Sequence, residues 1–267
     1  MPLYHYIVLA LVQGITEFLP VSSSGHLALV PHVLELPDQG LDIDIAVHVG
    51  TLGAVLLYFW RDVFRSIVGT GQLVSGRRTE NARLALHLLI GTLPLIAAGY
   101  LAKDMVGDAL RSLTVIGWAT LGFGLVLWVV DRAGMTILRI EHMRWGQALF
   151  IGAAQVLALI PGTSRSGITM TAARLLGYER TEAARFSMLL SIPAILGAGT
   201  LVALEIYKSG DFDLGRNALF AAALAFAAAL ASIWAMMSLL RHATFGVFVV
   251  WRVLLGGGLL LWVYGVI

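Results

Sequence analysis

The sequence predicts an all-α integral membrane protein: a polytopic helical bundle with two re-entrant helix-loop-helix hairpins in inverted-topology repeats. Three observations carry this reading. First, 58% of the 267 residues are hydrophobic and only 13% are charged, against about 25% charged in soluble domains. With a mean hydropathy of +0.85, the chain holds more apolar surface than a water-soluble fold of this length hides. Second, several charge-poor stretches approach the ~20 residues that cross a hydrocarbon core. Third, two apolar segments are interrupted by Pro, Ser and Gly.

In chain order, Leu3–Leu34 is the first interrupted segment, broken by Pro20-Val21-Ser22-Ser23-Ser24-Gly25. Ile45–Trp60 is apolar but slightly short for a span. Leu84–Ala102 and Leu113–Val130 are full spans. Trp145–Leu176 is the second interrupted segment, broken by Pro161-Gly162-Thr163-Ser164-Arg165-Ser166-Gly167. Phe186–Leu204, Asn217–Leu240 and Ala243–Ile267 complete the set, the last interrupted by Arg252. Helix is expected throughout, because backbone exposed to lipid must satisfy its own hydrogen bonds. Non-helical backbone at membrane depth persists only where protein or a wet cavity covers it, so each break reads as the tip of a hairpin. Met1 to Val12 has neither a basic start nor a small-residue cleavage site, and is expected to belong to the mature protein.

Charge bias orients the chain. Arg61, Arg65, Arg77, Arg78 and Arg83 crowd one loop; Arg132, Arg139 and Arg144 mark a second, and Arg174, Arg180 and Arg185 a third. These should be cytoplasmic. Glu35, Asp38, Asp42 and Asp44 stand in a stretch without Lys or Arg, and the Lys208–Asp213 loop is poor in basic residues; both should face outward. The sides alternate only if each hairpin returns to the side it entered from. The Pro20 to Ser23 spacing recurs as Pro161 to Ser164, as two oppositely oriented repeats would require. One membrane domain, 1–267, with approximate repeats 1–140 and 141–267, is the expected organisation.

The composition also excludes chemistries. No cysteine is present, so disulfides, thiolate metal sites and cysteine nucleophiles are out. The net charge of +2 with scattered Lys and Arg gives no nucleic-acid footprint. Polar residues at membrane depth are the functional candidates, because burying them unpaired is costly. The first break region supplies Gln13, Glu17, Ser22, Ser23, Ser24 and His26; the second supplies Gln155, Thr163, Ser164, Arg165, Ser166 and Thr169. Gln13 and Glu17 share a helix face. A Ser/Gly-rich turn entering a helix presents free N–H groups to an anion, and Arg165 adds a fork suited to phosphate oxygens. Ser23 and His26 suit a nucleophile and base. Glu17 suits orientation of that histidine, proton transfer or metal binding. His48 and His87, alone on apolar stretches, read as packing residues. Arg252 reads as snorkelling or structurally paired.

Two motifs then carry a resemblance. Gln13-Gly-Ile-Thr-Glu17-Phe-Leu-Pro-Val-Ser-Ser-Ser-Gly-His26 and Pro161-Gly-Thr-Ser-Arg165-Ser-Gly-Ile-Thr169 resemble the two signatures of the bacterial undecaprenyl-diphosphate phosphatases of the bacitracin-resistance type. The resemblance implies hydrolysis of undecaprenyl diphosphate to the monophosphate, recycling the lipid carrier for peptidoglycan synthesis and conferring bacitracin resistance. It implies a bacterial inner-membrane protein whose site opens to the periplasm, and a divalent cation, Mg²⁺ or Ca²⁺. Residue by residue, it makes Glu17, Ser23, His26 and Arg165 catalytic, with Glu17 as metal ligand. Gln13, Ser22, Ser24, Gly25, Ser164, Ser166 and Thr169 become the phosphate-binding set. Gln13 stands where some members carry Glu, so a second carboxylate is absent. The partners expected are the polyprenyl diphosphate substrate and membrane lipids; a homodimer stays open. Inverted repeats with broken helices are also a transporter design, so a polyprenyl-phosphate lipid transporter, alone or combined with the phosphatase, is the alternative.

Overall fold

The computed structural model describes residues 3–34, 41–102, 112–134, 136–209 and 212–266. Among these, the regular secondary structure is helical: α1 Leu3–Thr16, α2 Ser23–Leu34, α3 Leu41–Tyr58, α4 Trp60–Val74, α5 Glu80–Ala102, α6 Leu113–Ala133, α7 Trp145–Gln155, α8 Arg165–Leu175, α9 Arg180–Ser209, α10 Phe212–Leu239 and α11 Gly246–Val263. Stretches within α5, α6, α10 and α11 are each long and apolar enough to cross a membrane. α3 and α4 together make a further, bent candidate. The protein is a multi-pass membrane bundle. The side chains of the expected outward-facing stretches, from Glu35 to Asp42 and from Lys208 to Asp213, lie outside the described residues.

Both interrupted segments fold back. In the first, Leu27 and Val30 of α2 join a buried cluster with Tyr6, Leu9 and Ala10 of α1, so the two arms lie together. In the second, α7 ends in a 3₁₀ turn over Val156–Leu159 before the break, and α8 follows it. Tyr178, just past α8, donates its hydroxyl hydrogen bond to Gln147 Oε1 at the start of α7, 2.9 Å away. The second hairpin therefore enters and leaves at one end of the bundle. Each hairpin's first arm packs on a long helix from the other half of the chain, α1 on α10 and α7 on α5. Glycines permit this approach: a Cβ on Gly152 would stand 2.3 Å from the Gly91 carbonyl oxygen, and one on Gly14 would stand 2.7 Å from that of Ala225. Small residues at such crossings let backbones meet where lipid supplies no hydrophobic drive.

One segment departs from expectation. Ile45–Trp60 is not followed by a loop: the chain turns by 91° and continues as α4. Trp60, Phe64, Ile67 and Val74 are exposed along one side of α4, while Asp62 and Gly69 are buried on the other. The Arg61 guanidinium lies over the Trp60 ring, 5.3 Å from its centroid. An apolar outer face with arginines beside it is the pattern of an amphipathic surface helix, so the Arg-rich connection expected from the charges is itself largely helical.

The basic end of the bundle is held by buried carboxylates. Asp131 Oδ1 accepts from Arg174 Nε at 3.0 Å and Arg180 Nε at 2.8 Å, and its Oδ2 accepts from the Phe245 N–H at 3.1 Å. One carboxylate thus joins α6, α8, α9 and the entry to α11. Asp62 takes both arms of the Arg185 guanidinium, tying α4 to α9. Arg174 is fully buried, so Asp131→Asn leaves a buried cation without its counter-charge. We expect a loss of about 3–5 kcal/mol of stability, read as a lowered unfolding temperature of the detergent-purified protein; an unchanged midpoint would show that Asp131 does not hold this end.

Candidate active site

The two breaks are built alike. Ser22 and Ser164 are the described non-glycine residues at positive φ, 73° and 70°, a conformation that costs about 1–3 kcal/mol each. Each places its Oγ as a cap on the following helix: Ser22 Oγ accepts from Gly25 N at 3.3 Å, and Ser164 Oγ from Gly167 N at 3.1 Å. Each also shares a hydrogen bond with the serine two positions on, Ser24 at 3.3 Å and Ser166 at 3.2 Å. This corrects the sequence register: Ser164 corresponds to Ser22, not Ser23. Arg165 then corresponds to Ser23, Gln155 to Gln13 and Leu159 to Glu17.

The breaks are also stitched together. Gly162 N donates to Ser24 Oγ at 3.4 Å, and Ser166 Oγ donates to the Leu19 carbonyl at 2.9 Å. Between the tips sits Glu17, only 6% exposed. Its Oε2 accepts from Gln13 Nε2 at 3.0 Å and Ser23 Oγ at 2.8 Å. Its Oε1 accepts from Arg165 Nη2 at 2.8 Å. His48 Nδ1 donates to the Asp44 carbonyl at 2.6 Å, which turns Nε2 toward Glu17 Oε2, 3.5 Å away. Gln155, where the matching position carries Leu159 instead of a glutamate, is fully buried with neither amide atom partnered among the described residues.

A cavity of about 320 Å³ opens onto this cluster. Glu17, Ser23, Ser24, His48, Ser164 and Arg165 form its polar part, and Ile45, Leu95, Ala194 and Ile195 contribute to its apolar wall. The N-termini of α2 and α8, carrying Ser23 and Arg165 as first residues, lie at the same place and favour an anion there. The arrangement offers a hydroxyl bonded to a carboxylate, a guanidinium beside them, and an apolar wall: a site for a phosphorylated lipid rather than for a free polar metabolite.

The structure does not bring all of the expected site residues to this cavity. Ser23 and His26 do not pair. His26 Nδ1 donates to the Ser22 carbonyl at 2.7 Å, and Nε2 accepts from Trp251 Nε1 at 2.9 Å, with the two rings stacked. Both ring nitrogens are therefore committed, and the imidazole faces an apolar groove on the other side of the hairpin. Ser22 and Gly25 form the cap of α2 rather than facing the cavity. Ser166 is buried against Leu19, and Thr169 is bonded to the Arg165 carbonyl at 2.9 Å and to Ser187 Oγ at 2.6 Å, so both serve the frame. Gln13 supports Glu17 from behind. The sequence reading missed His48, because a lone histidine on an apolar helix gives no local sign of what it meets. Of the two readings of Arg252, snorkelling gives way to structural pairing: it is fully buried and donates to backbone carbonyls, with no ion pair among the described residues.

Residues 6–258 match the family described as bacitracin resistance protein BacA. The chain is 54% identical to undecaprenyl-diphosphatase 1 of Rhodospirillum rubrum, over 99% of this chain and 96% of that one. It is 51% identical to the undecaprenyl-diphosphatase of Ruegeria pomeroyi, over 96% and 97%, and 51% identical to that of Jannaschia sp., over 99% and 100%.

Proposed function

The chain belongs to the bacitracin resistance protein BacA family, and on that premise we infer how its site acts as an undecaprenyl-diphosphatase. It hydrolyses undecaprenyl diphosphate to undecaprenyl phosphate and inorganic phosphate. No finding favours the transporter alternative. The observation that carries the mechanism is the hydrogen bond from Ser23 Oγ to a Glu17 carboxylate that is itself held by Arg165.

The terminal phosphate lies against the N-termini of α2 and α8, with the prenyl chain leaving along the apolar wall. Ser23 Oγ attacks the terminal phosphorus, and Glu17 Oε2, already its hydrogen-bond acceptor, takes the hydroxyl proton. The bond from phosphorus to the bridging oxygen breaks, and undecaprenyl phosphate leaves with that electron pair. Water then displaces the serine from the phosphoseryl group. Glu17 returns its proton to Oγ, and the proton of the water leaves with inorganic phosphate. Arg165 and the helix N-termini balance the charge that develops on the phosphoryl oxygens. The base is thus a glutamate; His26 shapes the first break, and His48 closes the cavity beside Glu17.

The resemblance also carries a divalent cation. Among the described residues no three His, Cys, Asp or Glu side chains gather into a cage, and Arg165 already matches the charge of Glu17. Glu17 would add one carboxylate to an ion arriving with the diphosphate, since Mg²⁺ is often held by one or two carboxylates plus phosphate oxygens. Such an ion would supply charge neutralisation on the phosphate oxygens. We place the protein in the bacterial inner membrane, the Arg-rich end cytoplasmic by charge bias and the cavity open to the periplasm.

Two outcomes test this. Purified protein in detergent should release inorganic phosphate from undecaprenyl diphosphate with no membrane gradient. Ser23→Ala should abolish turnover, and Glu17→Gln should lower it by about 10²–10⁴-fold, the scale of a general base. Full turnover by Ser23→Ala would make water the nucleophile. For orientation, a cysteine replacing the exposed Gly76 in this cysteine-free chain should label with an impermeant thiol reagent only after the inner membrane is opened; labelling from the periplasm would invert the placement.

A further inference from the structure

The residue that the mechanism leaves unused is also the strangest charge in the bundle. Arg252 sits midway along α11, fully buried. Among the described residues it has no carboxylate partner; its guanidinium is spread over backbone carbonyls. Nε donates to Thr120 O at 2.9 Å and Nη2 to Ala119 O at 3.3 Å, both on α6. Nη2 also donates to Gly162 O at 3.1 Å, and Nη1 makes a longer contact to Pro20 O at 3.5 Å. In the register set by the capping serines, Pro20 and Gly162 are the same position of the two breaks, each two residues before a serine at positive φ. One side chain therefore holds equivalent peptides of both hairpins, from the side away from the cavity.

We propose that Arg252 is a positioning residue for the hydrolysis: it locks the two strained serine turns so that Ser23 and Arg165 meet on Glu17. A left-handed serine persists only where its surroundings over-determine it. The caps on Gly25 and Gly167 hold each turn from its C-terminal side, and Arg252 holds it from its N-terminal side. The residue after each locked serine is Ser23 or Arg165, whose side chains approach the two different oxygens of Glu17. Slack in either turn separates nucleophile from base, or guanidinium from phosphate, without altering the cavity wall that binds the lipid. A charged fork suits the task because it reaches carbonyls in three directions from one stem. The fit is close: a Cβ on Gly124 would stand 2.9 Å from Arg252 Cβ, and a Cβ on Gly167 would stand 3.0 Å from Arg252 Nη1.

This rests on the hydrolase reading, so the test has one arm with turnover and one without. Arg252→Met should lower kcat by about 10²-fold, the effect of a misplacement near 1 Å, with KM nearly unchanged. Arg252→Lys, which keeps the charge and reaches fewer carbonyls, should recover part of that loss. Gly124→Ala, which displaces the arginine stem without removing it, should lower kcat more mildly. If Arg252→Met does not fold, the other two variants decide. The arm without turnover uses Ser23→Cys, a single thiol in a cysteine-free chain: its labelling by a small thiol reagent should be several-fold faster when combined with Arg252→Lys. Wild-type kcat in folded Arg252→Lys and Gly124→Ala, or unchanged thiol labelling, would overturn the proposal. A wild-type protein that releases no phosphate would instead refute the hydrolase reading and leave the labelling comparison to judge Arg252.

Discussion

A carboxylate buried at membrane depth has to be matched, and the matching of Glu17 organises the site. An ionised carboxylate without partners in such surroundings is prohibitively unstable. Glu17 is therefore surrounded by donors drawn from both halves of the chain: Gln13 from α1, which ends just before it, Ser23 from across the first break, and Arg165 from the second, with the His48 ring beside them on α3. The demand is chemical as well as structural. In the proposed mechanism the donor that satisfies Oε2 is the hydroxyl that loses a proton, and the donor that satisfies Oε1 is the cation that faces the phosphate. Stabilising the buried charge and assembling the reacting groups are the same act.

The asymmetry of the reaction is written on a symmetric frame. Gln13 and Gln155, Ser22 and Ser164, Ser24 and Ser166, and Gly25 and Gly167 occupy corresponding places. The serines and glycines among them cap, stitch and close the two turns. The proposed chemistry draws on the places where the halves differ: Glu17 against Leu159, and Ser23 against Arg165. Two copies of either half would give two bases with no cation, or two cations with no base. The amide of Gln155, without a partner among the described residues, marks the place where the second half lacks the carboxylate that Gln13 serves.

The frame needs rigidity from elsewhere, because a bilayer provides no hydrophobic force between helices. Small residues bring backbones into contact, as at Gly152 against Gly91. At the basic end, buried ion pairs join elements far apart in sequence, Asp131 with Arg174 and Arg180, and Asp62 with Arg185. The hairpin tips lie remote from that end, where carbonyls turned inward by the breaks require donors; Arg252 and the capping serines supply them. Strain at Ser22 and Ser164 is local, and the restraint on it comes from three directions.

What was legible in the sequence was whatever depends on near neighbours. Apolar runs marked α5, α6, α10 and α11; the Pro/Ser/Gly interruptions marked both hairpin tips; and among the polar residues around them, Glu17, Ser23 and Arg165 line one cavity, the candidate site. Composition and short-range pattern are enough for these, because solvent preference, helix breaking and capping act within a few residues. The tertiary structure alone decided which polar groups meet. It turned His26 outward to Trp251 and brought in His48. It made a helix of Trp60–Val74, where charge counting expected a loop, and it shifted the repeat register to pair Ser22 with Ser164. It also placed Arg252 under both breaks. Each of these depends on contacts between segments distant along the chain, and a side chain's partners across such distances are set by how the helices pack, which no local pattern encodes.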